Sequence, residues 1–421
     1  MPKLLSIRNL PKAILHIDGD SFFVAVEVSK NPKLRGKPVV TGEERGIASA
    51  LSYEAKALGL IRGTPIYQIR KKFPQVIVLP GDYESYEIYS QKMFDIVRRY
   101  TDTVEEYSID ECFADLTGWR KPLKMTYLQI LENVKKDIRN ELDISVSAGL
   151  APNKVLAKVA SNWQKPDGLT IIPGRLSHKY LQKTAIEKIW GIGPNTSEFL
   201  KKKGIKTAYD FAIKDENWVK NNLTKPFFEI WGELNCQEVY KINPIPKETY
   251  ASIQKTRTFT PPSSDRSFLI SALSKNLEEA CAKARAYNLA AKKISFFLKT
   301  QSFSFRTSLI TFDSLLNLPE MIMPAIREEF DKIYVKSELY RTTGVILQDL
   351  TDQKISQLDL FGENEKQEKF KVIHEQIDNL QAKHGNKIVH LASTNTALIR
   401  QLADKRSGTE IKNDGRDLLF L

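Results

Sequence analysis

The chain has 421 residues, 42% of them hydrophobic and 27% charged, with 63 Lys+Arg against 51 Asp+Glu and a net charge of +12. This composition excludes a disordered chain and a disulfide scaffold, and no apolar run reaches the length of a membrane span. The positive balance favours a polyanionic partner, nucleic acid before membrane.

The length predicts two to four domains. Cys112, Cys236 and Cys281 are scattered, with no CxxC pair, so neither zinc site nor disulfide framework is expected. The five histidines, His16 among them, are dispersed and read as structural or surface residues. The N-terminal stretch MPKLLSIRNLPKAILHID lacks a long apolar h-region, so a cytoplasmic protein is expected.

In chain order, residues 1–12 form a basic leader and Ile14–Ile17 a buried strand ending in Asp18 and Asp20. Ser21–Lys30 reads as a helix capped by Asp20. Residues 32–80 make a small basic insert of short strands and helices. In Asp82–Thr101, Tyr86, Tyr89, Met93, Ile96 and Tyr100 recur at three- and four-residue steps, a helix with a core-facing stripe. Val104–Tyr107 and Cys112–Leu116 read as two strands around Asp110 and Glu111. A helix over 125–141, a strand Ile144–Leu150 and a helix beginning after Pro152 and ending before Pro166 complete an α+β domain, its helices on one face. Residues 176–243 turn all-helical, and NPIPK at 243–247 is the linker. Strands within 253–259, 293–299, 307–312 and 341–347, with helices Ser267–Asn288 and Pro319–Ile333, give a β-α-β-β-α-β module. Residues 247–306 hold 11 Lys/Arg against 4 Asp/Glu. Beyond Asp352 the chain is polar and expected to be partly disordered, with a short helix near 369–382.

The chemistry centres on VEEYSIDECFADLTG, residues 104–118. Adjacent carboxylates Asp110 and Glu111 are costly unless a cation binds them, and Mg²⁺ takes oxygen ligands while leaving room for phosphates. An exposed acidic hairpin is the plain alternative. If strands 14–17 and 104–116 are sheet neighbours, Asp18 joins the pair. The three acids, with the Gly19 carbonyl, then suit two Mg²⁺ ions and in-line phosphoryl transfer. Backbone N–H groups of the helix from Ser21 could berth a triphosphate. Tyr53 and Lys56, on one helix face, and Lys165 could donate to it, though each alone is an ordinary surface residue. Phe22 and Phe23 divide between core and pocket wall. Trp190-Gly191-Ile192-Gly193-Pro194, followed by Lys201, Lys202 and Lys203, reads as helix, glycine hairpin, helix, fit for a DNA backbone or simply a packing unit. Gln357-Leu358-Asp359-Leu360-Phe361 is an apolar motif in a polar tail, suited to a partner's groove or to folding back.

HIDGDSFF, SYEAKALGLIRGTPI, YSIDECFADLTG, APNKVLAKVASNWQKPDG and IWGIGP together resemble the Y-family translesion DNA polymerases, over about residues 12–361. The resemblance implies a right hand: palm at 12–27 and 82–172, fingers at 28–81, helical thumb at 173–243 and little finger at 248–350, with a tail at 351–421. It implies that Asp18, Asp110 and Glu111 hold two Mg²⁺ ions. Phe23 would be a steric gate against the ribose 2′-OH. Tyr53, Lys56 and Lys165 would bind the dNTP. Gly191–Gly193 would lie on primer–template DNA, and Gln357–Phe361 would dock on the bacterial sliding clamp. VEEYSIDECFADLTG, WGIG, the spacing into QLDLF and the tail after it are most similar to the UmuC group, the catalytic subunit of DNA polymerase V, with the DinB group (DNA polymerase IV) close. A UmuC-type role would add the SOS response, a UmuD-like subunit and a recombinase filament. Lys56 and Ala50 depart from the family, which more often has Arg and a hydroxyl residue there. Lysine keeps the charge but loses the bidentate fork. The competing expectations are another two-metal palm enzyme, such as a nucleotide cyclase, and a non-catalytic clamp-bound scaffold on DNA.

Overall fold

The computed structural model describes residues 4–6, 8–245, 250–352, 363–384, 389–406 and 419–420. The chain divides into two compact units, residues 1–246 and 247–421, with the division inside the expected Pro-rich linker. Among the described residues no helix is long and apolar enough to cross a membrane.

The first unit opens with β1 (Ile14–Gly19) and α1 (Phe22–Lys30). The basic insert then folds as β2 (Val39–Thr41), β3 (Ala50–Leu51), α2 (Tyr53–Ala57), α3 (Ile66–Lys72) and β4 (Ile77–Leu79). Its three-stranded sheet, in the order β3-β2-β4, packs on Ala55, Ile66 and Ile69. Next come α4 (Tyr83–Arg98), β5 (Val104–Ser108), β6 (Glu111–Asp115), α5 (Arg120–Leu123), α6 (Tyr127–Leu142), β7 (Val146–Ala151), α7 (Lys154–Asn162) and β8 (Leu169–Ile171). Side chains end the elements where the chain must turn. The Asp82 carboxylate caps α4 at Ser85 N, 3.2 Å away, and Thr126 with Gln129 forms a capping box at α6.

The main sheet runs β5-β6-β1-β7-β8, so β1 is its central strand, antiparallel to both neighbours. Side chains on a strand alternate between faces. Leu15 and Ile17 enter one core with Tyr86, Met93 and Ile96 of α4 and Val134 and Ile138 of α6. The predicted stripe on α4 is therefore core. Ile14 and Phe113 enter a second core with Val155 and Leu156 of α7. Both sheet faces are covered, where the sequence pattern predicts helices on one. The close approach of α7 depends on Gly149 of β7: a Cβ there would lie 2.2 Å from Ser161 N and 2.3 Å from the Ala157 carbonyl oxygen. Both atoms are backbone and cannot swing aside. Gly149→Ala is expected to cost about 1–3 kcal/mol, lowering the melting temperature by roughly 2–10 °C, as read by thermal unfolding followed in the far ultraviolet. An unchanged melting temperature would mean that α7 is not held this close.

The rest of the first unit is α8 (Ser177–Leu181), α9 (Pro194–Lys202), α10 (Ala208–Ala212), α11 (Glu216–Asn222) and α12 (Lys225–Leu234), which share the core of α7. Ahead of α9 stands only a 3₁₀ turn, Ile186–Lys188, not the full helix expected before the glycine hairpin.

The second unit is β9 (Ser252–Ser263), α13 (Arg266–Ala286), β10 (Leu289–Thr300), β11 (Phe305–Leu316), α14 (Pro319–Ile333) and β12 (Tyr340–Asp352). This is the predicted β-α-β-β-α-β order, with an antiparallel sheet β11-β10-β12-β9. The tail is more structured than its polarity suggests. α15 (Glu363–His384) runs well past the short helix expected, and α16 (Asn395–Arg406) follows it. Arg285 of α13 donates to both carboxylate oxygens of Asp378 at 2.7 and 2.9 Å. Ser393 meets Ser274 at 2.6 Å, and Ala397 N donates to Ser271 Oγ at 3.0 Å. These bonds give the tail partners that its own composition does not reveal. Gln357–Phe361 lies outside the described residues.

Candidate active site

The acids meet through strand register. In the β1–β6 ladder Asp18 lies directly opposite Glu111, and His16 opposite Phe113. Like charges directly across a pair destabilise it unless compensated. Between β5 and β6, Gly19 N–H donates to the Asp110 carbonyl at 2.8 Å, clasping the turn to the end of β1. Ser108 Oγ donates to Asp110 Oδ1 at 2.6 Å. The register thus sets Asp18 beside Glu111 and brings the Asp110 backbone to the end of β1, across about ninety positions of sequence, and Gly19 pairs with Val146 beside them.

Cations answer the acids. Lys165 Nζ contacts Asp18 Oδ1, and Lys158 Nζ lies 2.8 Å from Glu111 Oε2. His16 Nε2 lies 3.2 Å from the same oxygen. Burial pushes the Asp18 carboxyl above its usual range, Lys165 opposes that, and Asp110 adds to the rise. Burial also pushes Glu111 up, but hydrogen bonds from His16 and Lys158 outweigh it and hold the carboxyl at about 2. His16 is fully buried, and burial lowers its imidazole below the usual value. Atoms of His16, Asp18 and Glu111 lie within 4.8 Å of one another. The clustered hard oxygen donors fit a divalent cation such as Mg²⁺.

A second group borders the acids. Lys56 Nζ lies 2.9 Å from Ser21 Oγ and 4.1 Å from the centre of the Tyr53 ring. Burial lowers the Lys56 pKa, and the nearby Lys165 lowers it further. Two ammonium groups this close favour an anion between them. Tyr53 Oη points to Asp20 Oδ1 at 3.4 Å. The predicted trio of Tyr53, Lys56 and Lys165 is therefore brought together next to Asp18.

Asp20 does not cap α1. Ser21 is the N-cap, in the left-handed region at φ 52°, with no side-chain cap bond. The Asp20 carboxylate instead accepts from Ser147 Oγ and from Asp167 N, both at 2.8 Å. It ties β1 to β7 and to the segment after α7. Phe22 is 3% exposed and belongs to the core, so its ring is no pocket wall. Phe23 is half-buried and stacked on Tyr86, with centroids 4.3 Å apart and planes at 10°. Tyr83 meets Phe23 edge-on at 5.7 Å. Tyr86 Oη donates to Glu27 Oε1 at 2.8 Å, which fixes the ring behind Phe23.

The glycine hairpin stands on α9. Gly191 has φ 88°, and a Cβ there would lie 2.7 Å from Ile230 Cδ1. Gly191 and Gly193 are exposed and Ile192 is buried. The lysines after it are partly engaged: Lys201 pairs with Glu187 at 2.9 Å and Lys202 with Glu198 at 2.8 Å, while Lys203 lies over the Phe199 ring at 5.9 Å. Such exposed pairs are weak and leave the cations available to a polyanion.

Sequence reasoning passes over Lys158 and treats His16 as merely structural or surface. The signal for His16 is its position two before Asp18 on a strand, which sets both on one face. For Lys158 it is a lysine four residues after Lys154 on a helix against that face.

Comparison with known proteins agrees with this geometry. Residues 17–162 match the impB/mucB/samB family and residues 251–360 its C-terminal domain. DNA polymerase IV 1 of Bacillus subtilis (strain 168) is 30% identical over 409 residues, covering 96% of this chain and 97% of that protein. DNA polymerase IV of Streptococcus pneumoniae serotype 2 is 40% identical over 210 residues, 48% of this chain and 59% of that protein. A chimaera of Y-family DNA polymerases superposes with a TM-score of 0.67 at 24% identity, over 80% of this chain and 99% of that one. The chain belongs to the impB/mucB/samB family, the Y-family DNA polymerases, with their right-hand fold. It is a DNA-directed DNA polymerase. Both relatives bear the name DNA polymerase IV, so the similarity runs to the DinB group and does not support the UmuC preference drawn from VEEYSIDECFADLTG, WGIG, the QLDLF spacing and the tail.

Proposed function

We propose that this chain copies primer–template DNA with dNTPs and passes damaged template bases, acting in the cytoplasm as an enzyme of the DNA polymerase IV type. The observation that carries the reading is the register that sets Asp18 opposite Glu111 and clasps Asp110 to Gly19, beside Lys56 and Lys165. Asp18, Asp110, Glu111 and the Gly19 carbonyl would hold Mg²⁺, two ions in the full reading. The metal supplies charge neutralisation at the reacting phosphate and a lowered pKa for the primer 3′-hydroxyl. Lys56, Lys165 and Tyr53 orient the triphosphate, Lys56 with one charge and no fork. Phe23, backed by Tyr86, gates the sugar. Gly191, Ile192 and Gly193 present backbone to the DNA, and Lys201–Lys203 add attraction independent of sequence.

We assign the palm to 12–27 and 82–172, the fingers to 28–81, the thumb to 173–243 and the little finger to 248–350. Short fingers would close loosely over the base pair, with weak induced-fit discrimination and tolerance of a damaged base. Docking of Gln357–Phe361 on a sliding clamp rests on the sequence alone. A UmuD-like subunit, a recombinase filament and an SOS role belong to the UmuC variant, which the relatives do not favour. The scaffold alternative would be favoured by a missing acid, and all three are present.

The test is primer extension by the purified full chain on an intact template and on one with an abasic site. Templated extension on both, with a pause at the lesion, supports the reading. Stalling before the lesion removes the bypass role, and bound DNA without extension on either template favours the scaffold.

A further inference from the structure

His16 lies beneath the acids and is fully buried. Its ring sits 4.6 Å from Phe113, its Nδ1 is 2.7 Å from Ser161 Oγ of α7, and its Nε2 is 3.2 Å from Glu111 Oε2. The hydrogen-bond inventory limits what this chain of contacts can be. A neutral ring protonated at Nδ1 would aim the Nε2 lone pair at a carboxylate oxygen, a repulsive contact. If the ring is protonated at Nε2, the Ser161 hydroxyl donates to Nδ1 and Nε2–H donates to Glu111. If both nitrogens carry protons, Ser161 turns its hydroxyl to the Lys158 carbonyl, 3.1 Å away, and Nε2–H still donates to Glu111. In either allowed state Glu111 Oε2 accepts a hydrogen bond from Nε2–H. Lys158 Nζ converges on that same oxygen from α7. Two fixed donors on Oε2 leave Oε1 as the oxygen with open lone pairs.

We propose that His16 is a positioning residue for Glu111: anchored by Ser161, it holds Oε2 and thereby presents Oε1 to the metal. This rests on Glu111 being a metal ligand, as read above. Hydrogen-bonded partners of ligating carboxylates orient them, and losing one typically weakens metal binding by about 10–100-fold. Lys158 has a second hold, its Nζ lying 5.1 Å from the Tyr107 ring centre and 5.3 Å from that of Trp190. It therefore stays in place when His16 is changed, and the His16 contribution can be read separately.

The test compares two buried amides. Glutamine places its amide nitrogen near the former Nε2, facing Glu111. Asparagine places it near the former Nδ1, facing Ser161. Mn²⁺ binding to the full-length chain is titrated by electron paramagnetic resonance for wild type, His16→Gln, His16→Asn and Glu111→Gln, with melting temperatures alongside. The proposal expects His16→Gln to stay within about threefold of wild type and His16→Asn to bind about tenfold more weakly or worse, at similar melting temperatures. Equal weakening of both amides would make His16 merely structural and overturn the proposal. So would no weakening in either while Glu111→Gln binds poorly. Imidazole nitrogen coupling to Mn²⁺ in pulsed spectra would also overturn it, by making His16 a ligand. Unchanged binding in Glu111→Gln would instead bring down the metal reading on which the proposal stands.

Discussion

Asp110→Ala is expected to slow single-nucleotide incorporation by about 10³-fold or more, while affinity for primer–template DNA stays within about twofold of wild type. A metal-held charge at the reacting phosphate is worth several kcal/mol, and about 1.4 kcal/mol is tenfold in rate. The turn should survive the change, because Asp110 is clasped to β1 by the hydrogen bond from Gly19 N–H to its own carbonyl, a bond that alanine keeps. The side chain gives up its bond from Ser108 Oγ, and its loss also relieves the upward push on the Asp18 carboxyl. The melting temperature is therefore expected to hold or rise. DNA contacts assigned to Gly191–Gly193 and Lys201–Lys203 come from another part of the chain. Rapid-quench incorporation and fluorescence anisotropy measure the two quantities. A rate within tenfold of wild type would remove Asp110 from the site.

Phe23→Ala is expected to raise ribonucleotide insertion relative to deoxyribonucleotide by about 10²-fold. A steric contact with one added hydroxyl is worth roughly 1–3 kcal/mol, or 10–200-fold. What gives Phe23 this leverage is its backing. The ring is stacked on Tyr86 and met edge-on by Tyr83, and Tyr86 is buried and bonded to Glu27. A ring held on two sides cannot swing away to admit the hydroxyl. Loss of its stacking removes one contact from the rim of the core rather than from its centre, since Phe22 fills the core position. Competing insertion of one dNTP and its matching rNTP reads the ratio, and an unchanged ratio would place the gate elsewhere.

Much of the site is legible in the sequence because local patterns carry it. An apolar run ending in Asp18, and two short strands flanking Asp110 and Glu111, suffice to propose that the three meet. The register that sets Asp18 against Glu111 is not local. It follows from a core that demands Leu15 and Ile17 on one face and leaves His16 and Asp18 on the other. Asp20 looks like a helix cap because capping is a near-neighbour pattern, yet its partners Ser147 and Asp167 lie more than a hundred residues away. Lys158 and Ser161 read as parts of an ordinary amphipathic helix, and only the close approach of α7 at Gly149 brings them beneath the acids. The tail misleads for the same reason. Its polar composition predicts disorder, but Asp378, Ser393 and Ala397 find partners on α13. The β-α-β-β-α-β module, by contrast, is plain from strand and helix periodicity alone.

In the proposed function the three acids work by holding a divalent cation. The most direct test strips the chain with a chelator, adds primer–template and the one correct dNTP, and returns Mg²⁺ in steps while single-nucleotide incorporation is timed. No incorporation is expected without metal, with saturable recovery as Mg²⁺ returns and no recovery at any concentration in Asp110→Ala. Incorporation that persists in chelator, or an Asp110→Ala chain that recovers at the wild-type Mg²⁺ concentration, would contradict it.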